Sequence, residues 1–283
     1  MISTNKEKCT KCMHCVKVCP ADIFYLDKET KQVETHNPER CIECGHCVDA
    51  CETAAVEHTN FGPDKVHKID YSLYPSAQQM REIIFARRSN RAFTSKPIPE
   101  DSLTAIAEAA YRAPTASNGQ EVSFTLVTSP ERLKMLSDFT METFGLMLRK
   151  LDRPILRDIF KKIEPKVSTY IPLFKEMQED YKNGKDGVLR GATAVLLIHT
   201  PKKERFGSID SNLAYQNASL MAESLGVSQF YTGFLLNATL QRKGKLEQML
   251  GIDGTIHAGM AMAMPSFRMV NYADKNPMKL RRI

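Results

Sequence analysis

Eight cysteines carry the first chemistry in this sequence. They fall in two runs, Cys9-x2-Cys12-x2-Cys15-x3-Cys19-Pro20 and Cys41-x2-Cys44-x2-Cys47-x3-Cys51, and the remaining chain has none. The runs repeat at an offset of 32 residues, which also superposes His14 on His46 and Val16 on Val48. Such a repeat reads as two copies of one binding half-site. Thiolates at successive short gaps crowd around one centre, the spacing of a cuboidal [4Fe-4S] cluster whose fourth Cys comes from the other run. One cluster (I) then takes Cys9, Cys12, Cys15 and Cys51; the other (II) takes Cys41, Cys44, Cys47 and Cys19. Disulfides would need an oxidising compartment, and zinc sites pair Cys dyads across a longer loop, so both are weaker readings. Cys51 is followed by Glu52 where Cys19 has Pro20, so the second turn lacks the φ that proline fixes. His14 and His46 read as surface or packing residues whose charge could tune a cluster.

The second candidate site has no cysteine. Arg87-Arg88-Ser89-Asn90-Arg91-Ala92-Phe93 puts three guanidiniums and a hydroxyl at an expected helix end. Guanidinium forks match phosphate oxygens, although a basic helix end is also an ordinary complement to the dipole. Downstream, Ala113-Pro-Thr-Ala-Ser-Asn118-Gly-Gln120 sets small residues before an amide. A planar ring could approach that backbone and hydrogen-bond Asn118, or Asn118-Gly119 is a plain turn. The sequence has no G-x-G-x-x-G after a strand and no phosphate-binding P-loop, so a dinucleotide or nucleotide-triphosphate site of those types is unsupported.

The elements that must hold these groups read as follows. Residues 58–76, with Gly62, Pro63 and Pro75, read as a linker. Ser76 caps a helix to about Arg88, and Asp101 or Ser102 opens another with Leu103, Ile106, Ala107 and Ala110 on one face. Strands are expected at 122–128, 194–200 and 255–264, helices at 209–225 and 243–250, and a strand or turn at 230–236. Residues 133–190 read as helical, Met-rich and broken by Pro154, Pro165, Pro172 and Gly184. Their Phe139, Met141, Phe144, Met147, Tyr170, Phe174 and Met177 suit a lid or plain helix packing. Helices and strands mix without regular alternation, an α+β body of one-domain size.

Composition bounds the rest. Of 283 residues, 42% are hydrophobic and 25% charged, an ordinary globular balance. Residues 1–60 hold seven Lys/Arg and ten Asp/Glu, a balance of −3; against +6 for the chain, the remainder carries +9. No basic stripe or nucleic-acid motif stands out, and no apolar run reaches membrane-spanning length. The first residues lack a signal-peptide core, so a cytoplasmic protein is expected.

The N-terminal runs resemble bacterial two-cluster ferredoxins. The body, from about residue 76 to 283, resembles the nitroreductase family of FMN flavoproteins. That resemblance rests on Arg-Arg-Ser-x-Arg-x-Phe, Ala-Pro-Thr-x-Ser-Asn-x-Gln, Gln216-Asn217 with Leu225-Gly226, and Tyr231-Thr232-Gly233, in this order. Together they imply residues 1–60 as a ferredoxin-like domain, 61–76 as linker, and 77–283 as an FMN domain with 133–190 a lid-like insertion. The implied fold is α+β with a mixed or antiparallel sheet, and the implied assembly is a homodimer. Implied for FMN are Arg87, Arg88, Ser89 and Arg91 on phosphate and ribityl chain, Asn118 and Gln120 on flavin or ribityl, and Thr232 and Gly233 beside the ring. The tail departs from the family pattern, with Met264-Pro265-Ser266 in place of Gly-Tyr-Pro, so Lys279 and Arg281 stand in for its phosphate contact. The implied activity is FMN-dependent reduction of a nitroaromatic, quinone or enone. The donor is NAD(P)H or reduced ferredoxin, and two [4Fe-4S] clusters act as a relay; no side chain serves as catalytic base. The alternative is a non-catalytic iron–sulfur/flavin carrier or redox sensor.

Overall fold

The computed structural model describes residues 2–151 and 167–283; Pro154 and Pro165 lie outside the described residues. The chain forms two compact units: residues 1–75 with 116–120, and residues 76–115 with 121–283.

The first unit repeats itself as the cysteines do. Its elements are β1 (Ile2–Thr4), α1 (His14–Val18), β2 (Phe24–Leu26), β3 (Val33–Thr35), α2 (His46–Asp49) and β4 (Val56–His58). β1 pairs antiparallel with β4, and β2 with β3. The offset of 32 carries β2 onto β4 and α1 onto α2. Each short helix is entered through a left-handed residue, Met13 at φ 66° and Gly45 at φ 76°. Glycine suits that conformation, and a Cβ at Gly45 would also press on the Phe61 ring at 3.4 Å. Ile2, Ile23, Phe24, Val33, Val48 and Val56 fill the core, with Phe61 and Val66 packed against it. The unit therefore runs on to Pro75 and absorbs most of the segment expected as linker.

The second unit opens with α3 (Ala77–Ala86). Ser76 Oγ accepts from the Gln79 N–H, and Gln79 Oε1 accepts from the Ser76 N–H at 2.8 Å, a capping box. There follow α4 (Glu100–Tyr111), β5 (Ser123–Val127), α5 (Pro130–Leu151), α6 (Val167–Lys182), β6 (Ala194–Thr200), α7 (Gly207–Ser224), β7 (Ser228–Tyr231), α8 (Gly233–Gln241), α9 (Lys245–Leu250) and β8 (Thr255–Ala263). The four strands form one antiparallel sheet in the order β5-β6-β8-β7.

Helices cover both faces of that sheet, so β6 has no polar side. Val195 and Leu197 join α5, α6, α8 and α9 in one core; Leu196 and Ile198 join α4 and α7 in the other. This two-sided burial explains a continuous Ala194–Ile198 apolar run in an antiparallel sheet, where alternation is the rule. Phe139, Met141, Phe144, Phe174 and Met177 belong to the first core. The ring of Phe144 stacks on Phe174 at 4.2 Å. Those residues of the 133–190 stretch thus pack in the body, and Phe174 also lines a cavity.

Candidate functional site

Two sites can be built from the residues upward, one in each unit.

In the first unit the repeat folds so that the last Cys of each run reaches the first three of the other. One cavity is lined by Cys9, Cys12, Cys15 and Cys51, the other by Cys41, Cys44, Cys47 and Cys19. All eight thiols are unbridged. Burial pushes Cys15 upward, with Cys51, Cys9 and Cys12 adding to it, and pushes Cys47 up to about 12, with Cys19 and Cys44 adding to it. The thiols that perturb each other are thus those sharing a cavity. Buried thiols at this spacing become thiolates only against concentrated positive charge. Among the described residues no three His, Cys, Asp or Glu side chains converge on a single metal position. Four sulfurs around each cavity, in the C-x2-C-x2-C-x3-C spacing, suit an iron–sulfur cluster.

Amide hydrogens already point at the sulfurs. The Ile23 N–H donates to Cys19 Sγ at 3.4 Å and the Ala55 N–H to Cys51 Sγ at 3.1 Å, positions that the repeat equates. The Glu43 N–H donates to Cys41 Sγ at 3.3 Å. Two side chains join them: His58 Nε2 lies 3.6 Å from the same Cys41 Sγ, and Thr53 Oγ1 lies 3.9 Å from Cys51 Sγ. Burial pulls the His58 imidazole below its usual range. Asn118 was expected at a flavin. Its Nδ2 instead donates to the carbonyls of Ile42 and Glu43, at 3.1 and 2.9 Å, between Cys41 and Cys44. The segment 116–120, Gln120 included, belongs to this first unit although its flanks belong to the second. Ser117, Asn118 and Gln120 all take positive φ there, the Asn-Gly turn chemistry the sequence offered.

In the second unit the Arg87–Phe93 stretch leaves α3 extended and is tied down on both sides. Ser89 bridges Gln229 of β7, and Phe93 bridges Pro265. Buried Asn90 donates through Nδ2 to the Phe267 carbonyl at 2.9 Å and accepts the Ala92 N–H at 3.0 Å. The Tyr215 hydroxyl donates to Gln229 Oε1 at 2.9 Å, and Gln229 Nε2 donates to Ser219 Oγ at 3.0 Å. Burial pushes the Tyr215 phenol up to about 12, against the pull of Arg87 and Arg91, so it remains a neutral donor. Arg88 gives a hydrogen bond to the Ala273 carbonyl at 3.2 Å, and Tyr272 meets Phe85 edge-on at 5.4 Å. Arg91 is exposed, its guanidinium 5.3 Å from the Phe230 ring centre. Lys279 and Arg281 stand exposed on the tail, beyond any helix or strand.

Arg91, Phe230 and Gly233 share a cavity of about 940 Å³ whose far wall is Met147, Tyr170 and Phe174. Gly233 starts α8, and a Cβ there would meet no atom within 4 Å. Open space over a backbone N–H at a helix N-terminus suits a planar group carrying negative charge. Thr232 is buried beneath it at 2% exposure, and its N–H donates to the Gly259 carbonyl at 3.0 Å. Arg87, Arg88, Ser89 and Arg91 therefore lie on one anchored extended segment, and Arg91 and Gly233 line the same cavity. Tyr215, Gln229 and Asn90, which hold that segment, have no signal in the local sequence pattern. That pattern singled out Gln216-Asn217, one position along the helix from the residue that matters.

Residues 84–264 match the Nitroreductase family, and residues 1–52 match the 4Fe-4S dicluster domain. The chain belongs to the Nitroreductase family. It carries a 4Fe-4S dicluster domain at its N-terminal end. An NADPH-flavin oxidoreductase of Vibrio harveyi is 27% identical over 203 residues, 69% of this chain and 66% of that protein. A putative NADH dehydrogenase/NAD(P)H nitroreductase of Archaeoglobus fulgidus is 32% identical over 93 residues, 33% of this chain and 50% of that one. The chain thus spans between half and two-thirds of the length of these relatives. Among solved structures, a nitroreductase with bound FMN from Bacteroides fragilis aligns with TM-score 0.54 at 21% identity, covering 72% of this chain and 98% of that one. A nitroreductase with bound FMN from Desulfitobacterium hafniense aligns with TM-score 0.53 at 18% identity, covering 71% and 98%. These two share the fold of the family member described here. Among its described residues no helix is long and apolar enough to cross a membrane.

Proposed function

We propose that this chain is an FMN-dependent oxidoreductase that reduces a flat electrophilic acceptor such as a nitroaromatic, quinone or enone. Two [4Fe-4S] clusters, ligated as the two cysteine groups above, relay electrons to or from the flavin. The observation that carries the reading is one chain holding both a paired four-thiol architecture and a nitroreductase fold with an open Arg91–Gly233 cavity. FMN, when bound, supplies one- and two-electron transfer.

The protein's own residues bind, orient and enclose. Arg87, Arg88, Ser89 and Arg91 hold the phosphate and ribityl chain, because guanidinium forks match phosphate oxygens. Thr232 sets the height of Gly233, and the N–H groups that open α8 favour negative charge beside them. Tyr170, Phe174 and Phe234 offer flat apolar surfaces against which an acceptor can stack and from which water is excluded. No side chain need act as base. Asn118 braces the loop of cluster II rather than a flavin. Lys279 or Arg281 meets the phosphate from the tail in a homodimer, whose formation would cover exposed Ile209, Leu213, Val270 and Leu280. The donor is NAD(P)H, the Vibrio harveyi relative's name giving NADPH, or a reduced ferredoxin. We read the protein as cytoplasmic, because cluster-ligating cysteines suit a reducing compartment.

The test is anaerobic reduction by NADH, NADPH and reduced ferredoxin in parallel, following flavin and cluster absorption separately. Turnover of a nitroaromatic or quinone by at least one donor supports the reading. Protein that cannot be reconstituted with FMN overturns it. Reducible cofactors without acceptor turnover would instead mark an electron carrier.

A further inference from the structure

The two cysteine sites are related by the repeat, so any group found at one and missing from its counterpart makes the two clusters different. The backbone donors Ile23 and Ala55 occupy equivalent positions, four residues after Cys19 and Cys51. They treat both clusters alike. Two side chains break the symmetry: Thr53, where the repeat has Ala21, sets an exposed hydroxyl 3.9 Å from Cys51 Sγ with no fixed donor, and His58 sets a held N–H nearer to Cys41 Sγ. His58 ends β4 as Leu26 ends β2, and the offset of 32 equates the two. At position 58 the side chain is turned inward and only 9% exposed; at position 26 it is an apolar group 40% exposed. His58 lines the cavity of Cys19, Cys41, Cys44 and Cys47, whereas Leu26 does not line the other.

The tautomer of His58 follows from its partners. Its Nδ1 accepts the Asn60 N–H at 3.1 Å, so in the neutral ring the proton sits on Nε2. That nitrogen is the one 3.6 Å from Cys41 Sγ, and the bond therefore runs N–H to sulfur. The Phe61 ring packs on the imidazole with centroids 4.8 Å apart and is itself seated against Gly45. The ring is thus held at both edges and one face.

We infer that His58 is a positioning residue for electron transfer, whose N–H to Cys41 Sγ makes cluster II the more easily reduced of the two. Adding one electron to a cluster raises the negative charge on its sulfurs. A fixed donor to a ligand sulfur stabilises the reduced form more than the oxidised one, and so raises the potential. Cys41 then receives two donors, His58 and the Glu43 N–H. The electron that the pair holds resides on cluster II. The inference rests on the reading that these cysteines hold clusters.

The experiment is a dithionite titration of the full-length holoprotein followed by EPR, with iron and sulfide counted first. Wild type should show two clusters of unequal potential. In His58→Leu, the residue at the repeat-related position, cluster II should become about tenfold harder to reduce, which is about 59 mV for a one-electron couple. Cluster I should not move. His58→Gln, which retains an N–H, should recover part of the difference. Should His58→Leu fail to assemble, wild type labelled with ¹⁵N-histidine decides the matter: the spin of the first cluster reduced should couple to a histidine nitrogen. Full cluster content with unchanged potentials, or no histidine coupling, overturns the inference while leaving the cluster assignment intact. Protein with no iron or sulfide overturns both.

Discussion

Replacing Gly259 by Ala tests how the sheet sets the height of the Thr232–Gly233 backbone. Gly259 lies in β8 opposite Leu197, and a Cβ there would overlap Thr232 Oγ1 while standing 3.4 Å from Leu197 Cδ2. Thr232 is 2% exposed and cannot swing into solvent. Its hydroxyl has no hydrogen-bond partner among the described residues, so no bond is lost when it is displaced; the cost is overpacking. Overpacking a closed core costs roughly 1–3 kcal/mol. At about 2 kcal/mol, the thermal midpoint of a body this size falls by some 4–8 °C. Thr232→Ala alone removes a methyl and an unpaired hydroxyl and should cost about 1 kcal/mol. In the double variant the new Cβ fills the vacated space. The two effects should then fall short of additivity by about 1–2 kcal/mol, the range of coupled neighbours. Because Thr232 precedes Gly233, FMN retention should drop in Gly259→Ala and recover in the double variant. Calorimetric unfolding together with flavin release on dilution reads both. Additivity within about 0.5 kcal/mol, or a silent Gly259→Ala, would refute the argument.

Three other outcomes are expected. Arg91→Ala should weaken FMN retention about tenfold or more, the worth of a charge-assisted bond, with cluster absorption unchanged; joint loss of both cofactors would contradict separate sites. Cys19→Ser should abolish cluster II and leave cluster I, and Cys51→Ser the reverse, each cutting iron content by about half; if Cys19→Ser instead removes the cluster of Cys9, Cys12 and Cys15, the exchanged ligation is wrong. Asn118→Ala removes two donors to the loop between Cys41 and Cys44, at about 1–2 kcal/mol. Cluster II should then be lost faster in air than in wild type, and equal acceleration at both clusters would count against the brace.

What could be read from the residues was whatever is written in local spacing. The run Ala194–Thr200 was expected as a strand and is β6, because a run this apolar has to be covered on both faces. The Ser76 start of α3 was visible as a capping pattern. The cysteine spacing was enough to suggest the two groups that the fold brings around two cavities. Asn118 was not readable in the same way. Asn-Gly announces a turn, but its carbonyl partners lie 75 and 76 residues away, and no local pattern encodes that distance. Pro99 opens α4 ahead of the expected Asp101 or Ser102, since its carbonyl already accepts the Ser102 and Leu103 N–H groups. His58 falls where the expected domain (1–60) and the linker reading (58–76) overlap, and the repeat that aligns the cysteines also aligns it with Leu26. Carrying the offset seven residues past Cys51 would have exposed the difference.

The central claim is that clusters and flavin form one electron path within one chain. Holoprotein and an Arg91→Ala form depleted of FMN are each reduced anaerobically with dithionite, freed of excess reductant, and mixed with a nitroaromatic acceptor in a rapid-reaction spectrometer. The account predicts that the clusters of the holoprotein reoxidise within the same turnover as the flavin, and that those of the FMN-free form stay reduced on that timescale. Cluster reoxidation at the same rate with and without FMN would contradict it.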